Sequence, residues 1–370
     1  MNSLFFFSIV LLILSCYNYL GRKYRISVLN IFILVSSIIF IFILGTRINF
    51  GKDHIEYARM YFKQGASLER CEWLWVLINK LFLRMQMPYQ VFFSFSVFLQ
   101  LVFIIKACKE LDINYFFAFI IFYLIYIFQY VNIIRQCIAV SIIFLSCAYY
   151  IKRHFGKWLF LVVIASGFHI SAIFSFFIAP FFYFMKNKSI RYYFFYYFIL
   201  LIIFFTSDYL YDITILLLKK IILIFGNESI ASIIESFLNW KIPEGSGVGV
   251  KLRLLAYIFM LPMMLNVSKN DERFLFFFRL FFFGIVGEFI SSLNMNLSRI
   301  FMYFTFSQLY TIPMTVKNIN KKNIVNISTI LFMLGLFILF ALFIINSFKG
   351  INNTLYYFSD IDFSFKEVYW

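Results

Sequence analysis

Charge is scarce in this chain. Of its 370 residues only 14% are Asp, Glu, Lys or Arg, where a soluble domain carries about 25%, so water is excluded as its main solvent. Long polar stretches are scarce too, and the longest, 46–70, 226–250 and the tail after 348, leave no room for a soluble domain. The five cysteines, Cys16, Cys71, Cys108, Cys137 and Cys147, include no Cys-x-x-Cys spacing, which argues against a disulfide framework and a thiolate metal site. A phosphate-cradling glycine run, an H-E-x-x-H helix and a G-x-S-x-G elbow are missing as well. Neither a metal nor a cofactor is expected. No internal repeat is strong enough to argue from, so the repeat signature of many transporters is absent.

What is abundant is apolar surface. The composition is 63% hydrophobic, with 56 Phe and 25 Tyr, and the mean hydropathy is +0.88. A hydrocarbon core about 30 Å thick takes roughly 20 apolar residues per crossing, and such runs recur from end to end. The expected fold is all-α: one polytopic transmembrane bundle over 1–370 with about 11–13 membrane segments. The aromatic residues exceed what interfacial belts require, so most face lipid or pack between helices. The net charge of +16 is spread over short loops between segments. That distribution fits the positive-inside rule rather than a nucleic-acid surface.

Those loops set the threading. Arg22, Lys23 and Arg25 follow the first apolar run, 3–20, and no positive residue precedes it, which suits an uncleaved first helix with its N-terminus outside. Segment 28–45 then delivers residue 46 to the exterior. Spans at 89–106, 113–130 and 134–151 alternate with the charged stretch 106–112 and the basic loop Lys152-Arg153-His154-Phe155-Gly156-Lys157, both inside. The intervening stretch 72–85 is short and amphipathic, as expected of a helix lying in the outer interface. Residues 158–184 begin and end at basic loops yet are too few for two full helices. A broken helix near Gly167-Phe168-His169 resolves this, and irregular backbone at depth implies a protein-lined or wet surrounding for His169. Segment 191–206, the external region 207–250, and spans 251–267, 274–293, 299–316 and 324–346 complete the path. External loops are expected at about 46–88 and 207–250, with an external C-terminal tail at 347–370.

The unexplained polar residues gather toward the exterior. Arg47, Asp53 and Tyr57 lie in one short loop, where Asp53 and Glu56 also have the spacing of a helix-capping pair. Arg135 and Gln136 follow Asn132 at the outer end of one span, and Arg299 opens another. Each arginine has two readings, snorkelling to headgroups or binding an anion, and three at one level favour an anion site. In the slab an arginine costs at least about 2.5–3.5 kcal/mol and is usually paired or functional. Guanidinium is permanently charged and offers a bidentate fork to phosphate. Glu288, inside the span 274–293, is expected to pair with one of these three arginines. Arg279, deeper, is read as snorkelling. His169 stands among small residues at the break, where a neutral imidazole is either a packing residue or a proton acceptor.

These residues carry a resemblance. Arg47 with Gly51, Asp53 and Tyr57, Glu72 with the apolar run after it, Asn132, Arg135, Gln136 and Ala139, and Ala165, Phe168, His169, Ser171 and Ala172 are arranged as in the EpsG family. Arg299 with Tyr303 and Pro313 adds a weaker match. That family resembles the Wzy-type O-antigen and capsular polysaccharide polymerases. The resemblance implies a metal-independent membrane glycosyltransferase of the bacterial cytoplasmic (inner) membrane, working on its outer face. Its substrates would be undecaprenyl-pyrophosphate-linked oligosaccharide repeat units. Expected partners are those lipids and the membrane, with a chain-length regulator and a flippase, and no nucleic acid. In this reading Asp53 and His169 are the candidate catalytic bases, and Arg47, Tyr57, Glu72, Arg135, Gln136 and Arg299 bind substrate. Lys52-Asp53-His54 departs from the expected Asp-aromatic pair and puts a histidine beside Asp53. A flippase for the same lipid-linked oligosaccharide would carry polar residues through both leaflets, and a ligase would favour larger external loops.

Overall fold

The computed structural model describes residues 53–63, 66–178, 247–268, 271–290, 295–322 and 326–352, with scattered helical positions in 37–45, 195–206 and 213–220. The expected segment 3–20, Cys16, Arg47, most of 207–250 and the tail beyond 352 lie outside the described residues, as do parts of 28–45 and 191–206. Among the described residues there is no strand. Among them four helices, Tyr89–Leu111, Ile134–Ile151, Lys251–Ser268 and Ile327–Ile345, are long and apolar enough to cross a membrane. The chain is an all-α polytopic membrane protein.

The chain divides into two compact units, one of residues 1–175 and 343–370, the other of 176–342. In the first, α1 (His54–Lys63), α2 (Ala66–Glu69) and α3 (Trp73–Arg84) precede α4 (Tyr89–Leu111), α5 (Tyr115–Asn132), α6 (Ile134–Ile151) and α7 (Phe155–Phe168). A 3-10 helix, Ile170–Phe177, follows α7. The centre is α6, buried almost throughout from Ile134 to Tyr149, as a helix apolar on all faces must be. Its hydroxyls are satisfied within the helix: Ser141 donates to the Cys137 carbonyl at 2.8 Å and Ser146 to that of Ile143 at 2.7 Å. Against it packs α4, whose buried residues Tyr89, Phe93, Ser96, Gln100, Ile104, Cys108 and Leu111 recur at three- and four-residue steps, the period of one helix face.

Loops fix which ends coincide. Lys152, after α6, pairs with Glu110 at the end of α4 at 2.5 Å, so 106–112 and 152–157 share one side, as the basic-loop argument expects. Here Arg153 takes a left-handed turn (φ 61) and α7 starts back. The opposite end of α6 meets α3, the expected interfacial helix. Trp73, Leu77, Leu81 and Met85 form an exposed stripe at four-residue intervals, while Trp75 and Asn79 are buried.

The second unit holds α8 (Gly247–Ser268), α9 (Glu272–Ile290), α10 (Met295–Thr305), α11 (Gln308–Lys322) and most of α12 (Ile327–Asn352). The expected single span 299–316 is broken between α10 and α11. Ser307 donates its hydroxyl to the Phe304 carbonyl at 2.6 Å, and the backbone tightens to three-residue bonds, Leu309 to Phe306 and Tyr310 to Ser307. Such back-bonding bends helices. Close helix approach comes from glycine: a Cβ on Gly284 would lie 2.4 Å from the Thr305 nitrogen of α10, and one on Gly335 2.5 Å from the Ala256 carbonyl of α8. On α12 the exposed residues Ile327, Ile330, Met333, Phe337 and Phe340 form the stripe expected to face lipid.

Candidate functional site

A short stretch before α3 supplies the first element. Glu72 is the N-cap residue of α3, with extended backbone (φ −66, ψ 146), yet its carboxylate does not cap the helix. It reaches outward instead. One oxygen pairs with the Arg135 guanidinium near the start of α6. The other accepts the backbone N–H of Ile170 at 2.9 Å. One carboxylate thus joins the start of α3, the start of α6 and the start of the 3-10 helix. The side chains of Arg135 and Glu72 are 22% and 16% exposed, so the pair is shielded but not sealed.

His169 is the joint beside that tie. It leaves α7 in extended conformation (φ −155, ψ 119), donates its N–H to the Ala165 carbonyl at 3.0 Å, and accepts the Ala172 N–H at 2.9 Å. The helix therefore ends where the sequence places the break. The half-buried His169 imidazole has Nδ1 2.6 Å from the Ser171 hydroxyl. Gly167 allows the joint to sit on α3: an added Cβ would fall 2.9 Å from Leu74 Cβ and from the Trp73 indole.

Tyr57 completes the cluster from α1. Its buried hydroxyl is within hydrogen-bonding reach of Arg135, and its ring lies 5.7 Å from that of Trp75. Burial pushes the phenol up to about 12, against the lowering effect of the Arg135 guanidinium and with the help of the Asp53 carboxylate. Tyr57 is therefore a neutral hydrogen-bonding group, not a base. Burial likewise raises the neighbouring Cys71 thiol, which removes it as a ready nucleophile.

The remaining expected residues fall in several places. Asp53 is half-buried, and its carbonyl accepts the Tyr57 N–H at 3.0 Å, which makes it the start of α1. Glu56 is exposed and pairs with Arg59 at 3.7 Å. His54 is buried and stacks on Phe93 at 5.1 Å, so the histidine that replaces the expected aromatic packs as one. Gln136 is buried next to Arg135. Arg47 lies outside the described residues. Arg299, half-buried on α10, belongs to the second unit. Among the described residues no three His, Cys, Asp or Glu side chains gather as a metal site.

Glu288 requires a correction. It is ion-paired with Arg253 of α8, an arginine outside the expected three. Arg253 carried a signal: with Lys251 it opens an apolar run at the end that the expected threading puts outside, where positive charge is disfavoured. Arg279 is buried rather than snorkelling, at 3% exposure.

The model of the EpsG family matches residues 30–359. Comparison with curated proteins and with solved structures returns no match.

Proposed function

The chain belongs to the EpsG family, and from that premise we propose that it is a polysaccharide polymerase acting on lipid-linked repeat units. The growing glycan, held as its undecaprenyl pyrophosphate, is transferred to the next lipid-linked unit on the outer face of the bacterial cytoplasmic membrane. A hydroxyl of the acceptor sugar attacks the anomeric carbon of the donor. The bond from that carbon to the diphosphate oxygen breaks, the diphosphate keeps the electron pair, and the hydroxyl proton passes to a base.

The observation that carries this reading is the single carboxylate of Glu72 tying Arg135 to the backbone beside His169. Arg135 holds the diphosphate and stabilises charge as it leaves. His169, oriented by Ser171, takes the proton. Asp53, Tyr57 and Gln136 orient donor or acceptor. A diphosphate is already an activated leaving group, so no nucleotide is consumed and no metal is required. The one D-x-D spacing in the chain, Asp360-Ile361-Asp362, lies in the tail, outside the described residues.

The test is the length distribution of surface glycan in cells lacking the gene, complemented by wild type or by Arg135→Ala at matched membrane levels. Single repeat units on the usual acceptor, with long chains restored by wild type only, are expected. Lipid-linked units trapped inside, with none at the surface, would instead make the protein a flippase.

A further inference from the structure

The second unit contains a polar constellation that the reaction above does not use. Arg253 and Tyr257 stand one turn apart on α8. Arg253 is ion-paired with Glu288 of α9. The buried Tyr257 hydroxyl donates to Oε1 of Gln308 at 3.1 Å, the first residue of α11 after the helix break. Close approach at Gly287, where an added Cβ would strike the Phe301 ring at 1.9 Å, sets α10 against the same stretch of α9. That helix also carries Arg299.

This set resembles the first site in two respects: an arginine is paired to a glutamate from a separate part of the chain, and a buried tyrosine stands by, bonded there to the arginine and here to Gln308. Exposure matches too, at 23% for Arg253 and 12% for Glu288 against 22% for Arg135 and 16% for Glu72. A buried ion pair is a poor way to stabilise a core, since apolar residues of equal volume do as well or better, and ionisable residues within membrane segments are mostly functional. A transfer between two lipid-linked saccharides brings two copies of one kind of head group to the enzyme at once. We propose that Arg253, Tyr257, Glu288 and Gln308 form a second lipid-diphosphate site, in which the incoming diphosphate displaces Glu288 from Arg253. This rests on the polymerase reading, in which donor and acceptor share that head group.

The experiment counts undecaprenyl pyrophosphate bound to the full-length protein by native mass spectrometry from detergent, with undecaprenol and phosphatidylglycerol as controls. Two copies are expected on wild type, one on Arg253→Gln, one on Arg135→Gln and none on the double variant. Glu288→Gln, which keeps the shape and removes the competing carboxylate, should retain both copies and hold one about tenfold more tightly. If Arg253→Gln does not yield folded protein, Glu288→Gln decides alone, and an unchanged or lost second copy overturns the proposal. One copy on wild type, removed by Arg135→Gln and kept by Arg253→Gln, would remove the second site and leave the polymerase reading standing. Displacement of both copies by phosphatidylglycerol would show general anionic-lipid binding and refute it. No copy at all on wild type would sink both readings.

Discussion

Glu72 makes two contacts that substitution can separate. Glu72→Gln keeps an oxygen to accept the Ile170 N–H and removes the charge opposite Arg135. Glu72→Ala removes both. Breaking a fully buried pair costs about 3–5 kcal/mol, and with these side chains 22% and 16% exposed the loss should lie toward about 2–3 kcal/mol in either variant. The alanine variant also frees the Ile170 N–H. Ile170 is exposed, so water replaces part of that bond and the further loss is about 1 kcal/mol. Thermal unfolding in detergent should rank wild type above Gln and Gln above Ala. Polymer formation from lipid-linked units in vitro should separate the two more sharply. Only Ala releases the backbone that holds His169 beside Arg135, so its turnover should fall well below that of Gln. Equal stability and equal turnover in the two variants would refute the view that Glu72 positions the His169 joint.

Gly167→Ala should lower polymer yield without lowering membrane insertion. Its Cβ would press Leu74 and Trp73 at 2.9 Å, overpacking that costs about 1–3 kcal/mol and shifts the turn that carries Glu72; matched-expression assays of glycan length check this. Replacing His169 by Gln should reduce turnover about 10²–10⁴-fold, and an in vitro rate near wild type would transfer the role of base to Asp53. Tyr57 predicts an alkaline transition. Its phenol is held at about 12 in the fold against about 10 unfolded, so the folded state binds more protons between those values. Stability is fully present below pH 10 and falls as pH rises toward 12, by about 2–3 kcal/mol. Unfolding curves across that window should be flatter for Tyr57→Phe than for wild type.

Much of the architecture is legible because membrane helices write themselves in hydropathy and loop charge. The expected spans 89–106, 113–130 and 134–151 lie within or close to α4, α5 and α6, and the conflict between two basic loops flanking 158–184 located the His169 joint. The short amphipathic run after Glu72 identified α3, since its exposed stripe is what a one-sided apolar period produces. Partnerships were not legible. Glu72 and Arg135 are 63 positions apart, and nothing local to Glu288 distinguishes Arg253 from Arg299 as its partner. Pair identity depends on which helices are neighbours, a long-range property. The break at Ser307 was hidden for another reason: hydrophobic residues flank it on both sides, and a serine bonded back to the backbone is no signal by itself, since Ser146 makes the same bond inside the unbroken α6.

In the proposed polymerase, pairing Arg135 with Glu72 and Arg253 with Glu288 also has a kinetic logic. An unpaired guanidinium in a low-dielectric setting carries a standing cost between turnovers, and a carboxylate counter-ion removes most of it. The same carboxylate competes with substrate, so the diphosphate binds with the difference between two charge-assisted interactions. That difference is modest by construction. Uniformly tight binding of the carrier would add nothing to turnover and would slow its release after each addition. Charge that develops on the leaving diphosphate oxygen strengthens its hold on Arg135 relative to Glu72, so the exchange favours the transition state over the ground state. On this argument Glu72→Gln binds undecaprenyl pyrophosphate more tightly than wild type and yet turns over more slowly, and a variant that binds tighter and also turns over faster would contradict it.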